Sequence, residues 1–109
     1  MAIHHAISGE PIDVRPLGTR LADAESVALF KSDDLEVIRL VLPRGKSLPV
    51  HRVEGGITIQ CIEGRIDLAA DGRAVALRAG ELVFVSGGVE HGVSAAEDSS
   101  ALLTSALRR

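Results

Sequence analysis

The chain has 109 residues, 46% of them hydrophobic, and a formal net charge of −3. This is the length of one domain, with too much apolar content for a disordered chain. The scattered basic residues argue against a nucleic-acid or anionic-membrane partner, since both need a clustered basic face.

The N-terminal arm, about residues 1–20, lacks a basic region followed by a long apolar run. No run anywhere approaches the roughly 20 residues of a membrane span. The one cysteine, Cys61, permits no internal disulfide, and a reducing, cytoplasmic location is expected. His4 and His5 are neighbours in the arm, and a strand would send them to opposite faces. Leu21–Ser26 has the composition of a single helical turn. Beyond it the pattern alternates with period two.

Ser26–Lys31 is expected as a strand, stopped by Asp33-Asp34, and Leu35–Leu42 as another, stopped by Pro43 and Gly45. Pro49–Val53 is a short strand ending at Glu54-Gly55-Gly56, and Ile57–Glu63 is a strand ending at Gly64. Arg65–Ala70 and Arg73–Arg78 flank Asp71-Gly72, a hairpin turn in which both positions tolerate positive φ. Glu81–Val85 follows, and Ser86-Gly87-Gly88 opens a loop. His91–Ala96 and Ala101–Leu107 close the chain around the polar run Glu97–Ser100. About eight or nine short strands, with turn signals roughly every 8–12 residues, predict an all-β sandwich or small barrel. A jelly roll suits this length because it protects most strand edges.

Two spacings carry the functional signal. Gly45 is followed by five residues, His51 and later Gly64; Gly80 is followed by Gly88 and His91. This frame resembles a small single-domain cupin of the RmlC-like superfamily. The first motif covers about residues 45–64 and the second about residues 80–95, in a single domain over residues 1–109. The resemblance implies a double-stranded β-helix with a pocket inside the barrel. It also implies a divalent transition metal (Mn, Fe, Ni or Zn), which the family usually holds with three His and one Glu. Here Val53 stands at the second His position and Ile57 at the Glu position, while Ser86 replaces a proline and Ala95 an Asn.

Alternation turns His51 and Val53 to one face, and Ile57, Ile59 and Cys61 to one face of the next strand. With Val83, Val85 and His91 these are the expected pocket residues. His51 and His91 are the candidate metal ligands, with Cys61 or Glu54 as a non-standard third. A lone Cys is more often a small buried hydrophobe and a turn carboxylate more often a solvated one; the other reading of each His is a polar side chain bonded to backbone or water, but two at matched motif positions favour a pocket. Asp13, Arg15, Arg39 and Arg44 read as surface charges.

The main expectation is a small-molecule-binding barrel of unknown ligand with an incomplete metal site. The alternative is a metal-dependent enzyme of dioxygenase or isomerase type. A stress-related dimer with a vestigial pocket is a third reading. An epimerase of the sugar-nucleotide type would need a Tyr, and the chain has none. A homodimer is expected, with the apolar strand Ala101–Leu107 lying under a partner.

Overall fold

The computed structural model describes residues 5–107, so His4, Arg108 and Arg109 lie outside the described residues. A 3-10 turn at Gly18–Asp23, earlier than the expected Leu21–Ser26, precedes the strands. These are β1 (Val27–Lys31), β2 (Leu35–Leu42), β3 (Ser47–His51), β4 (Ile57–Glu63) and β5 (Arg65–Ala70). Then come β6 (Arg73–Arg78), β7 (Leu82–Val85), β8 (His91–Ala95) and β9 (Ser99–Ala106).

Nearly all follow the period-two reading, and the Asp71-Gly72 turn behaves as its composition dictates, with φ of 53° and 74°. The strands form a five-stranded sheet, β1-β2-β9-β4-β7, and a four-stranded sheet, β3-β8-β5-β6, with antiparallel pairing throughout. This is the all-β jelly roll expected from the sequence.

The core lies between the sheets. Leu42, Ile59 and Ile66 are almost wholly buried there, and Leu68, Val85, Val93 and Ala101 pack with them. Each large aliphatic side chain so buried contributes about 1.5–3 kcal/mol.

Register orders the inner face of the four-stranded sheet into rows. Ala95, Ile66 and Leu77 are successive cross-strand partners, as are Leu48, Val93, Leu68 and Val75. The outermost row is His51, His91, Ala70 and Arg73. Residues directly opposite in an antiparallel pair point to the same face, so the core gives way to polar side chains in one step at the end of the barrel.

Three sequence expectations change. The strand Ala101–Leu107 begins two residues earlier, at Ser99, and lies in the middle of its sheet with β2 and β4 on either side. Both its edges are used within the chain, so no partner strand can pair with it edge to edge. Arg39 is not a surface charge: it is 5% exposed, and its guanidinium donates to the carbonyl oxygens of Arg15 (3.0 Å) and Asp13 (3.3 Å). The third strand ends at His51, leaving Val53 in the following loop.

The N-terminal arm is pinned to the outer side of the five-stranded sheet by Arg39 and by Glu63. One Glu63 oxygen accepts from the Gly18 N–H (3.0 Å); the other accepts from the Leu17 N–H (2.9 Å) and the Ser100 hydroxyl. Burial alone would push the Glu63 carboxyl up. The Ser100 hydroxyl, the two N–H groups and the Arg39 charge outweigh it and hold the carboxyl below the ordinary carboxylate range. Farther out, Arg15 makes a bidentate pair with Asp13 and holds its carboxyl well below the usual range, although both side chains are largely in solvent.

Candidate functional site

His51 comes from an edge strand that contains a proline. Pro49 has no N–H to donate, which is tolerated at an edge. Around it the β3–β8 register slips: Leu48 faces Val93, but three residues later His51 faces His91, two residues back on β8. That is a bulge of one extra residue. Without it Leu48 and His51 would point to opposite faces; with it both point into the barrel.

The freed Pro49 carbonyl takes the Nδ1 hydrogen of His51 at 3.1 Å. His91 repeats the arrangement on β8, its Nδ1 lying 3.2 Å from the carbonyl of Val89. A carbonyl oxygen only accepts, so both rings carry hydrogen on Nδ1, and in the neutral form Nε2 is a bare acceptor. The ring centroids are 4.4 Å apart at an interplanar angle of 58°. His51 is exposed and His91 is 3% exposed. Nε2 of His91 has no hydrogen-bond partner among the described residues and, unlike Arg65 Nε, is not enclosed.

A cavity of about 190 Å³ lies between the β5–β6 hairpin and the strand and loop of β7; neither histidine lines it, but Ala70, the cross-strand partner of His91, does. Leu68, Val75, Val83, Val85 and Val89 give it apolar walls, while Arg73, Asp71 and Ser86 supply polar groups. A shallower hollow of about 600 Å³ shares Ala70, Asp71, Arg73 and Val89 with it and reaches the exposed Arg52–Glu90 ion pair (3.8 Å).

The sequence-expected residues divide into three groups. His51 and His91 come together. Val83 and Val85 line the cavity. Ile57, Ile59 and Cys61 are buried in the core at 3%, 1% and 0% exposure, and Val53 packs against that core from its loop. Cys61 points its thiol at the carbonyls of Glu63 and Gly64 (3.5 and 3.7 Å), and burial pushes it up from the ordinary thiol range. Glu54 lies in the β3–β4 loop, where its backbone carbonyl packs against Gly87; a Cβ there would come within 2.1 Å of that oxygen.

Neither Cys61 nor Glu54 completes a metal site with the histidines: among the described residues no three of His, Cys, Asp or Glu gather as a ligand set. The family's metal asks for at least three protein donors. Two imidazoles, with Val53 and Ile57 in the remaining positions, do not fit it.

Arg73, Ala70, Ser86 and Val89 belong to the site but escaped the sequence reading. The tight Asp71-Gly72 turn does dictate that Arg73 faces Ala70. Pairing of β5 with β8, which brings Ala70 beside His91, has no local signal.

A family model described as "Cupin domain" matches residues 38–106. No curated protein matches the chain. Among solved structures, a cupin superfamily protein from Desulfitobacterium hafniense is similar at TM-score 0.76 and 17% identity, covering 89% of this chain and 94% of that one. An RmlC-like cupin from Shewanella frigidimarina gives 0.73 and 21%, covering 99% and 94%. KdgF from Halomonas sp. gives 0.69 and 22%, covering 77% and 80%. At these identities the likeness is one of fold. Among the described residues no helix is long and apolar enough to cross a membrane.

Proposed function

The chain belongs to the cupin domain family, and from that premise we propose that it binds a small molecule at the open end of its barrel without a resident metal. The observation that carries this reading is the histidine pair: two imidazoles fixed through Nδ1, with Nε2 free, beside an apolar cavity and with no third ligand gathered among the described residues. Concave apolar sites with a few convergent polar groups are where small ligands bind.

One observation supports a metal-dependent enzyme as second reading. A ligating histidine typically donates its other ring N–H to a carbonyl, as both do here. That reading still lacks a third protein donor among the described residues.

The test is twofold. Protein purified without a histidine tag is assayed for bound metal, and a fragment library is screened by melting temperature and by amide shifts around Ala70 and Val85. We expect well under one equivalent of metal, and fragments that shift those amides. Stoichiometric, tightly held metal would replace this reading with the enzyme one.

A further inference from the structure

We propose that this mouth selects a small hydroxycarboxylate, with the ligand's carboxylate on Arg73 and its hydroxyl on the Nε2 atoms of His91 and His51. The proposal rests on the small-molecule reading above and names the class of ligand.

Register carries it. Arg73, Ala70, His91 and His51 are successive partners in one row on the inner face. Neighbouring strands lie ~4.8 Å apart, so Arg73 and His91 stand about 10 Å apart along the row. Ala70, whose side chain is a single methyl, is the residue between them in the row. The result is a shelf one side chain wide, with Leu68 and Val75 of the next row as its floor.

The polarity at the two ends of the shelf is opposite. Each imidazole has committed its Nδ1 hydrogen to a carbonyl, so Nε2 calls for an O–H. Arg73 offers only donors and makes no ion pair among the described residues, so it calls for an anion, and a carboxylate matches its planar fork. A simple alcohol leaves the guanidinium unanswered. A carboxylate without a hydroxyl leaves the imidazoles unanswered. Asp71, next to Arg73 in the cavity lining, opposes a second negative charge, and Glu90 at the rim is already paired with Arg52. A monoanion is the consequence. Arg73 and Ala70 line the cavity of about 190 Å³ and the histidines stand beyond Ala70, so it is the span of about 10 Å from Arg73 to His91 that restricts the acid to a short chain.

The experiment titrates isotope-labelled full-length protein with β-hydroxybutyrate, with butyrate and with butane-1,3-diol, following the amides of Ala70, Arg73 and His91. β-Hydroxybutyrate should bind about tenfold or more tightly than either control, the effect of one satisfied charge-assisted contact. Arg73→Gln should reduce its affinity to that of the diol, Arg73→Lys should recover part, and His91→Ala with His51→Ala should reduce it to that of butyrate. If butyrate or the diol binds as well, or Arg73→Gln changes nothing, the hydroxycarboxylate assignment is wrong while the small-molecule reading stands. If none of the three shifts these amides, the assignment is overturned; the small-molecule reading then survives only where neutral fragments still shift the cavity amides.

Discussion

Glu63 on one sheet and His91 on the other are both polar side chains among apolar neighbours, and the chain completes the surroundings of one but not of the other. Around Glu63 two backbone N–H groups, a hydroxyl and the Arg39 charge meet the carboxylate, and the arm lies over them. Around His91 one ring nitrogen is bonded and the other is left bare. A polar group that the protein itself satisfies does structural work, because removing its partner leaves buried groups unpaired. A polar group left half satisfied, at the open end of a barrel, does little for stability and is free for a ligand.

The most disruptive way to break this contrast is to place unsatisfied polar groups in and against the core. Val53→His with Ile57→Glu restores the donor types that the family frame expects. Ile57 is 3% exposed within the core cluster, so a carboxylate there should cost about 4 kcal/mol without metal. Added nickel or zinc should return about 2.7 kcal/mol at a hundredfold excess over Kd. Melting temperature against metal concentration, for parent and variant, checks both parts.

Glu63→Gln sharpens the other side. It keeps the shape but removes the charge that Arg39 and the N–H groups face, and should cost about 2 kcal/mol at neutral pH by urea unfolding. The pH dependence has a definite sign. The folded-state carboxyl is held below its ordinary range, so its contribution is fully present above that range and is lost as pH falls through the folded value. Parent and variant stabilities should therefore converge in acid. A constant gap down to strongly acidic pH would show that the carboxylate charge is not what secures the arm.

The smallest effects belong to the two histidines, which differ only in burial. His91→Ala should cost about 1 kcal/mol, for a small cavity and a released Val89 carbonyl. His51→Ala, at an exposed edge, should cost less than about 0.5 kcal/mol. Each should weaken the ligand-induced amide shifts at Ala70 toward those given by butyrate. Equal and large losses of stability would turn the pair into core hydrogen-bonding residues.

The fold was legible because period-two alternation and turn residues are local signals. β2, β4, β5 and β6 occupy the segments that their apolar alternation marks. The motif glycines were legible for the same reason. Gly64 has φ +81°, and a Cβ on it would come within 2.3 Å of the Asp98 carbonyl oxygen, which no other residue tolerates.

What could not be read is what depends on distant pairing. Ser99 and Ser100 look like a turn, yet both are fully buried; the Ser99 hydroxyl serves the Arg65 backbone on the other sheet and the Ser100 hydroxyl serves Glu63 on the neighbouring strand. Arg39 looks like a surface charge for the same reason: its partners are carbonyls 24 and 26 residues earlier. The histidine pair was legible from the motif frame. Its setting beside Ala70 and Arg73 was not, since that needs the β5–β8 pairing.

The bulge at Pro49 also makes the site sensitive to chain length. A substitution at position 49 or 50 keeps the residue count and leaves His51 facing His91. A one-residue deletion there would remove the bulge and still leave Leu48 and His51 two positions apart on the inward face, whereas a one-residue insertion would enlarge the bulge or turn His51 out of the barrel. The same insertion in the exposed Asp33-Asp34 turn would change no inward-facing residue of the mouth. Among descendants of this chain, amino-acid exchanges and single deletions should be tolerated at positions 49 and 50 while insertions there are purged.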